Sequence, residues 1–281
     1  MERTFTVLVA AASITLGALA FGAWRWRRSD AAFCARMRAA CLPMAVKAYD
    51  PREIEVLPAP VQRYFRAVLQ DGQAMVSGVR LSQHGQFRQD EHKDVWQPFH
   101  ASQFVTTHAP GFDWNARIRM VPGVDVFVRD AYALGAGSLR ASVLGLVTMA
   151  DMRDTPESAR GELMRYLAEA VWYPTALLPS QGVQWEGIDD RSARATLTDG
   201  ATTVSLDFTF GADDLIATAW ASSRPRSATE SAPWLCRLGD YVQRAGMRVP
   251  LAGEVEWQMP SGPAPYFRGR IAAIDHEFEA Q

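Results

Sequence analysis

Residues 112–120 read FDWNARIRM, and this stretch decides the fold class. Its polar positions alternate with apolar ones at Phe112, Trp114, Ala116, Ile118 and Met120. Successive side chains of a β-strand point to opposite faces of a sheet, so this period of two predicts a strand with one buried face. Residues 203–210, TVSLDFTF, repeat the pattern. Both stretches are typical of antiparallel sheets that pack on one side.

Weaker alternation of the same kind continues from Met75 to Phe278, interrupted by Gly, Pro, Asp and Asn. About eleven strands are predicted in all. One helix stands among them, from about Pro156 to Trp172, with Thr155 placed to cap it. The predicted fold class is therefore α+β: a mostly antiparallel, curved, half-barrel-like β-sheet with a packed central helix, preceded by an N-terminal transmembrane helix.

The two sides of the predicted central helix differ in chemistry. One side carries an apolar stripe formed by Leu163, Tyr166, Leu167 and Ala170. The other carries Glu162, Arg165 and Glu169, at spacings of three and four that allow ion pairs. Such pairs are typical of a solvated helix face, which is the simplest interpretation of this side.

The N-terminal residues 5–24, FTVLVAAASITLGALAFGAW, contain no charged side chain. A helix rising about 1.5 Å per residue makes this run long enough to cross the roughly 30 Å hydrocarbon core of a bilayer. Three arginines follow, Arg25, Arg27 and Arg28, as expected at a membrane interface. The run therefore predicts an uncleaved single-pass anchor. A cleavable signal peptide is the alternative, because Ala18-Leu19-Ala20 has the form of a cleavage site.

The charge distribution excludes one class of partner and favours one location. The chain has 29 basic and 31 acidic residues, and a basic cluster lies next to the apolar run. Nucleic-acid binders instead concentrate basic residues on the folded domain, so no nucleic-acid partner is predicted. Membrane lipid is the expected partner of the cluster. The predicted location is the bacterial inner (cytoplasmic) membrane, and the positive flank favours a cytoplasmic body while the side stays open.

The domain organisation predicted from these features has three parts. Residues 1–28 form the transmembrane anchor with its basic end, and residues 29–56 form a juxtamembrane helix, interrupted at Pro43, and a linker. Residues 57–281 form a single β-rich globular domain. It opens with a short helix that begins near Pro58, where proline fits the first turn, and carries an apolar stripe from Val61 to Val68.

Motifs for chemistry are weak in this sequence. The eight-residue spacing of four histidines, His84, His92, His100 and His108, does not place two ligands together, so no metal site is predicted. The glycine patterns of nucleophile elbows and dinucleotide or phosphate loops do not occur, so no cofactor and no catalytic residue is assigned. A hydrolase-type enzyme would have to use Glu254, Glu256, Asp207 or His276 in a cleft.

The aromatic content has two interpretations: most of the tryptophans are expected to fill the core of the β-sheet, and a few are candidates to line a ligand cavity. The chain has nine tryptophans, and large aromatic side chains often line apolar ligand pockets. The candidate walls of such a groove are Trp114, Tyr132, Trp172 and Trp257, and Arg165 is the candidate for contact with an anionic headgroup. The predicted function is membrane-anchored binding of a lipid or other hydrophobic ligand. A membrane-tethered scaffold for an unknown protein partner is the alternative.

Two runs at the central helix resemble a known family. Residues 161–169, GELMRYLAE, and residues 172–178, WYPTALL, are similar to the signature of a bacterial domain-of-unknown-function family. The similarity extends from about Leu57 to Phe278. It implies a mostly β extramembranous domain behind an N-terminal membrane segment, and it implies no activity. The strand pattern also resembles half-barrel lipoprotein carriers, whose curved sheet holds a lipid chain beneath a helical lid.

Overall fold

The computed structural model describes residues 2–41, 45–88, 93–153 and 155–279, without the side chains of residues 2–4, 7–12, 14 and 15. Three α-helices lie in these ranges: α1 (Glu2–Ala40), α2 (Ala59–Val68) and α3 (Pro156–Glu169). The strands are β1 (Val76–Phe87), β2 (Gln97–Thr106), β3 (Gly111–Val121), β4 (Val124–Ala133), β5 (Ala136–Val143), β6 (Val147–Arg153), β7 (Gln184–Asp189), β8 (Ser192–Asp199), β9 (Thr202–Phe210), β10 (Ile216–Pro225), β11 (Ser231–Arg244), β12 (Met247–Met259) and β13 (Gly262–Phe278).

All thirteen of these strands belong to one antiparallel sheet, made of two meanders. The first runs outward from β1 to β6 at one edge, and the second returns from β7 at the other edge to β13. Strand β13 pairs with β1 and joins the two halves. The segment that contains α3 connects the two edge strands, so it must cross one face of the sheet.

The sheet curls around α3. The helix contacts β4 and β5 near one edge and β9 and β10 near the other. Strands β5 and β9 are nine steps apart in the strand order. At about 4.8 Å per step, a flat sheet would hold them roughly 43 Å apart, whereas a helix is about 10–12 Å wide. The predicted curved antiparallel sheet with a central helix is therefore present.

The alternating stretches form the predicted strands. Residues 112–120 lie in β3, where Trp114 is 4% exposed, and residues 203–210 lie in β9, where Phe208 is fully buried. Helix α3 also begins as predicted, because Thr155 Oγ1 accepts a hydrogen bond from Ser158 N at 3.1 Å. A 3₁₀ turn at Ala170–Trp172 extends it to the predicted end.

Helix α2 fills a separate part of the concave side. It contacts β7, β8 and β12, and its predicted apolar stripe, including Tyr64 and Phe65, is fully buried. The ring of Tyr64 lies 5.8 Å from that of Phe210, and the ring of Phe65 lies 6.3 Å from that of Trp185. This end of the interior is therefore closed core.

Helix α1 packs on the opposite, convex face of the sheet. Trp26 Nε1 donates to Asn115 Oδ1 at 3.2 Å, and Met37 is 2% exposed. These contacts cover part of the polar side of β3, which the alternation alone would leave in water. Asp113 on that side is 1% exposed, and its carboxylate accepts two hydrogen bonds from Arg129, at 2.8 and 3.0 Å.

The transmembrane anchor remains a prediction. Among the described residues, no helix is long and apolar enough to cross a membrane. The predicted span, residues 5–24, falls inside α1, but the side chains of residues 7–12, 14 and 15 lie outside the described part. The predicted interruption at Pro43 also lies outside the described residues, and α1 ends at Ala40.

The covering of the convex face by α1 can be tested with two arginines of the same sheet. Arg129→Met leaves the carboxylate of Asp113 buried without its partner, so we expect the free energy of unfolding of the full chain to fall by about 3–5 kcal/mol. Arg119→Met removes an exposed pair with Asp125 and should cost about 1 kcal/mol or less. Urea denaturation measures both. Equal, small losses would show that α1 does not bury Asp113.

Candidate functional site

A cavity of about 680 Å³ lies between α3 and the concave face of the sheet. This volume is in the range of small-molecule binding sites. Seven large aromatic side chains are among its lining residues: Phe87, Trp114, Trp172, Trp234, Trp257, Tyr266 and Phe267. Its lining also includes exposed residues at β6 and at the turn between β10 and β11, among them Met152 and Ser227. The cavity therefore opens to the outside between these two segments.

The aromatic wall is held by contacts between its own members. The rings of Trp257 and Tyr266 stack with centroids 5.8 Å apart, and Trp234 Nε1 donates to the Tyr266 hydroxyl at 3.0 Å. The ring centroids of Phe267 and Trp114 lie 6.5 Å apart, in an edge-to-face arrangement. Buried aromatic side chains with satisfied polar atoms form a rigid surface. This wall is preformed and largely apolar.

A buried ion-pair cluster on α3 forms the facing wall. Arg165 Nη1 donates to Asp130 Oδ2 at 2.5 Å, and Arg165 Nε donates to Glu169 Oε1 at 2.7 Å. The guanidinium also lies over the rings of Phe112 and Trp114, at 4.8 and 5.0 Å. Arg165 thus has two carboxylate partners inside the protein.

A chain of hydrogen bonds extends this cluster across the sheet. Gln103 Nε2 donates to Glu169 Oε2 at 2.6 Å, and Gln83 Nε2 donates to Gln103 Oε1 at 2.9 Å. Trp114 Nε1 ends the chain by donating to Gln83 Oε1 at 2.9 Å. Buried polar groups cost free energy unless they are paired, and each of these groups is paired. The chain therefore fixes α3 against β1, β2 and β3.

Glu162 is a further acidic residue of this cluster, and it interacts with Asp130. Among the described residues, Glu162 Oε2 and Asp130 Oδ1 are buried without a hydrogen-bond partner. Burial is the main cause that raises the pKa of Glu162, to about 8, and the negative charge of Asp130 is the second cause. Glu162 therefore keeps its proton at neutral pH. The protonated carboxyl can donate to Asp130, and this accounts for both oxygen atoms.

Arg224, on β10, completes the charged groups of this wall. Its Nε donates to the carbonyl oxygen of Gly161 at 3.2 Å, and its Nη2 lies 3.6 Å from Glu162 Oε1. The guanidinium lies 5.1 Å from the ring centroid of Trp234 and 5.5 Å from that of Trp257. The side chain is 10% exposed and lines the cavity. Its charge thus faces a neutral acid.

Four of the five predicted binding residues line this cavity: Trp114, Arg165, Trp172 and Trp257. Tyr132 does not. It is fully buried, and its hydroxyl donates to Asp199 Oδ2 at 2.7 Å. The reason is close packing at its end of β4, because α3 approaches the sheet at Gly137, the residue paired with Tyr132. A Cβ atom on Gly137 would lie 2.3 Å from the carbonyl oxygen of Ser158.

The charged side of α3 is largely enclosed, with its three side chains 12–15% exposed, which corrects its interpretation as a solvated face. The predicted pair between Arg165 and Glu169 forms, whereas Glu162 is paired with Arg224 at 3.6 Å. The physical reason is the curl of the sheet, which encloses both sides of the helix. Arg224 was not among the predicted binding residues. It lines the cavity because β10 contacts α3, and no local sequence pattern predicts that contact.

The residues suggested for an enzyme do not meet in a cleft. Glu254 is exposed, and Glu256 is paired with Arg237 at 2.8 Å. Asp207 forms a surface pair with Arg194 at 2.6 Å, and His276 Nε2 lies 2.8 Å from the carbonyl oxygen of Trp172. None of these four described candidates lines the cavity.

Comparison with known proteins identifies a family and a fold-level likeness. A model described as a family of unknown function (DUF6920) matches residues 55–276, which confirms the resemblance seen at residues 161–178. No curated protein matches the chain. A LolA superfamily protein from Nitrosomonas europaea is similar, with a TM-score of 0.40 and 10% identity over 82% of this chain and 94% of that one. A β-barrel-like protein of the domain of unknown function DUF1849 from Brucella abortus has a TM-score of 0.23 and 9% identity, over 72% and 99%.

The proton on Glu162 can be tested through the pH dependence of stability. Its pKa is about 8 in the folded protein and 4.5 ordinarily, so the stabilisation is complete below pH 4.5 and is lost as the pH rises to about 8. We expect Glu162→Gln to remove this loss, because an amide can donate to Asp130 without releasing a proton. The measurement is the urea midpoint of the full chain from pH 4.5 to 8.5. The control is Glu254→Gln, and equal pH profiles for all three proteins would contradict a protonated Glu162.

Proposed function

Since this chain belongs to the DUF6920 family of unknown function, we propose its function from the cavity: it binds an apolar, lipid-like ligand between α3 and the sheet. The observation that carries the proposal is a preformed cavity of about 680 Å³ with a wall of large aromatic side chains. Binding sites for small apolar molecules combine such walls with a few placed polar groups.

One polar group in the lining supports a ligand with a polar atom. Trp172 lines the cavity and is 7% exposed. Within the described residues, its indole N–H is buried without a hydrogen-bond partner. Buried donors are rarely left in this state, because losing water without a replacement costs free energy. A polar atom of the ligand would accept this hydrogen bond.

We also propose that α1 anchors the domain to the bacterial inner membrane through residues 5–24, with the body on the cytoplasmic side favoured by the basic flank. The helix leaves the sheet near Gly22, where an added Cβ would lie 2.6 Å from the carbonyl oxygen of Leu144. Arg25 Nη2 donates to the carbonyl oxygen of Gly145 at 2.6 Å. The predicted span would thus continue directly from a helix fixed to the domain.

This arrangement would bring the cavity opening close to the membrane. Strand β6 begins at Val147, just after the turn that α1 contacts, and its last residues, Met152 and Arg153, line the cavity. Six residues of extended chain, at about 3.4 Å each, place the opening roughly 20 Å from the point where α1 leaves the sheet. Val147, Met149 and Met152 are exposed along this edge. A lipid could pass from the bilayer to the cavity over this short distance.

Photolabelling tests the cavity. A long-chain alcohol carrying a diazirine, which is neutral, is irradiated with the full chain in lipid nanodiscs, and the labelled peptides are mapped by mass spectrometry. We expect labels near Trp234 and Trp257. Ala141→Trp places a large ring in the cavity lining and should reduce this labelling several-fold.

The matched control for labelling is Ala273→Trp, at an exposed position of β13 outside the cavity lining. It should label like the wild type. Labels confined to residues 5–24, or labels at the cavity that Ala141→Trp leaves unchanged, would contradict ligand binding in the cavity.

The anchor has its own test. Cells expressing the full chain are fractionated, and the mature N-terminus is sequenced. An uncleaved transmembrane helix predicts that the protein stays with membranes in high salt and begins at or next to Met1, because the apolar run holds it in the bilayer. A mature start at Phe21, or release by mild salt, would refute the anchor.

A further inference from the structure

Among the described side chains that line the cavity, Arg224 is a buried cation whose acidic partner is weak. Arg165 differs from Arg224 because it donates directly to two carboxylates, those of Asp130 and Glu169, at 2.5 and 2.7 Å. Glu162 carries a proton at neutral pH, because burial raises its pKa to about 8. The partner of Arg224 in this cluster is therefore a neutral acid, 3.6 Å from Nη2. A buried guanidinium with a neutral partner costs free energy of desolvation unless an anion pairs with it.

The surroundings of Arg224 fix its direction. Its Nε donates to the carbonyl oxygen of Gly161 at 3.2 Å. The rings of Trp234 and Trp257 lie beside the guanidinium. Trp234 Nε1 in turn donates to the hydroxyl of Tyr266 at 3.0 Å, which fixes the ring. Such stacking suits arginine, whose planar group can still donate from both Nη atoms. Arg224 is thus oriented before any ligand arrives.

The position of Arg224 also indicates which end of a ligand would lie near the cavity opening. The residues that follow it, including Arg226 and Ser227, line the cavity, and Ser227 is exposed at its opening. On α3, the level of Glu162 is separated from the level of Glu169 by seven residues, or about 10 Å of helix. Phe267 lines the cavity one turn of α3 past Glu162, because its ring lies 6.5 Å from that of Trp114, and Trp114 lies 5.0 Å from the guanidinium of Arg165. A headgroup at Arg224 would lie near the opening, with its tail directed inward.

We infer that the ligand is an amphiphile with an anionic carboxylate or phosphate headgroup, and that the headgroup binds the guanidinium of Arg224 in place of Glu162. This rests on the proposed function and names the class of its ligand. The anionic headgroup forms an ion pair with Arg224, and the tail lies between α3 and the aromatic wall. Arg165, the candidate from the sequence, keeps a structural role because its two carboxylates already satisfy it.

Competition against the neutral diazirine alcohol tests this headgroup site in the full chain in nanodiscs. The competitors are dodecyl phosphate, dodecanoate, dodecanol and inorganic phosphate. In the wild type we expect the anionic amphiphiles to compete about tenfold or more better than dodecanol, as a hydrogen bond to a charged group would provide. Arg224→Met should reduce this ratio to near one while dodecanol still competes.

The controls separate charge from structure. Arg224→Lys should keep part of the preference, because it retains the charge. Arg194→Met, which removes an exposed surface pair, should keep all of it. A preference that survives Arg224→Met, or equal competition by dodecanol and the anionic amphiphiles in the wild type, would overturn the headgroup site while leaving the cavity function intact. Competition by inorganic phosphate alone would indicate a site for a free anion and would also overturn it.

A second measurement needs only the wild type, in case Arg224→Met does not fold. Two diazirine-bearing alkyl phosphates are compared, one with the diazirine next to the headgroup and one with it at the end of the tail. The headgroup-proximal label should fall on peptides that contain Glu162, Arg224 or Trp234, and the tail label should fall elsewhere in the cavity. Headgroup labels near Gln83 or Trp114 would overturn the proposed orientation. Absence of cavity labels from every probe, including the neutral alcohol, would instead overturn the cavity function itself.

Discussion

The ion pairs of Arg165 are the interaction on which the interior of this protein depends. The side chain projects from α3 into a space that the sheet encloses, where an unpaired charge would cost several kcal/mol. Asp130 from β4 and Glu169 from the helix itself provide the compensation, at 2.5 and 2.7 Å. Because Asp130 is on the sheet, the same pair also sets the position of α3 across it. The helix is therefore held by charge compensation as well as by apolar packing.

This placement explains why a cavity exists beside a well-packed core. At one end, α2 and its aromatic neighbours fill the concave side, and at Gly137 the backbone of α3 touches the sheet. Along the charged side of α3, the ion pairs and the row of glutamines hold the helix at a distance set by side-chain length. The gap of about 680 Å³ that remains is walled by tryptophans on the sheet. The charged face of the helix thus acts as a spacer, and Arg224 stands at the edge of the gap.

The two faces of the sheet serve different purposes. The concave face holds the core and the cavity, whereas α1 rests on the convex face through Trp26 and Met37 and buries the pair between Asp113 and Arg129. If residues 5–24 cross a membrane as proposed, the helix that anchors the domain is also part of its packing. Anchor and cavity would then share one rigid body, with the cavity opening on the same edge as the membrane.

The sequence by itself determined the strands at residues 112–120 and 203–210, the helix that begins at Pro156, and the family resemblance at residues 161–178, because these depend on local periodicity, capping and motif. It also selected four side chains that line the cavity: Trp114 and Trp257 on the sheet, and Arg165 and Trp172 on the helical segment. Only the tertiary structure decided that the charged side of α3 is enclosed, that Tyr132 is closed off from the cavity, and that Arg224 faces Glu162, whose pKa is raised by burial. Those outcomes depend on how far a sheet of thirteen strands curls, and curl brings together residues that are distant in the chain and carry no shared pattern.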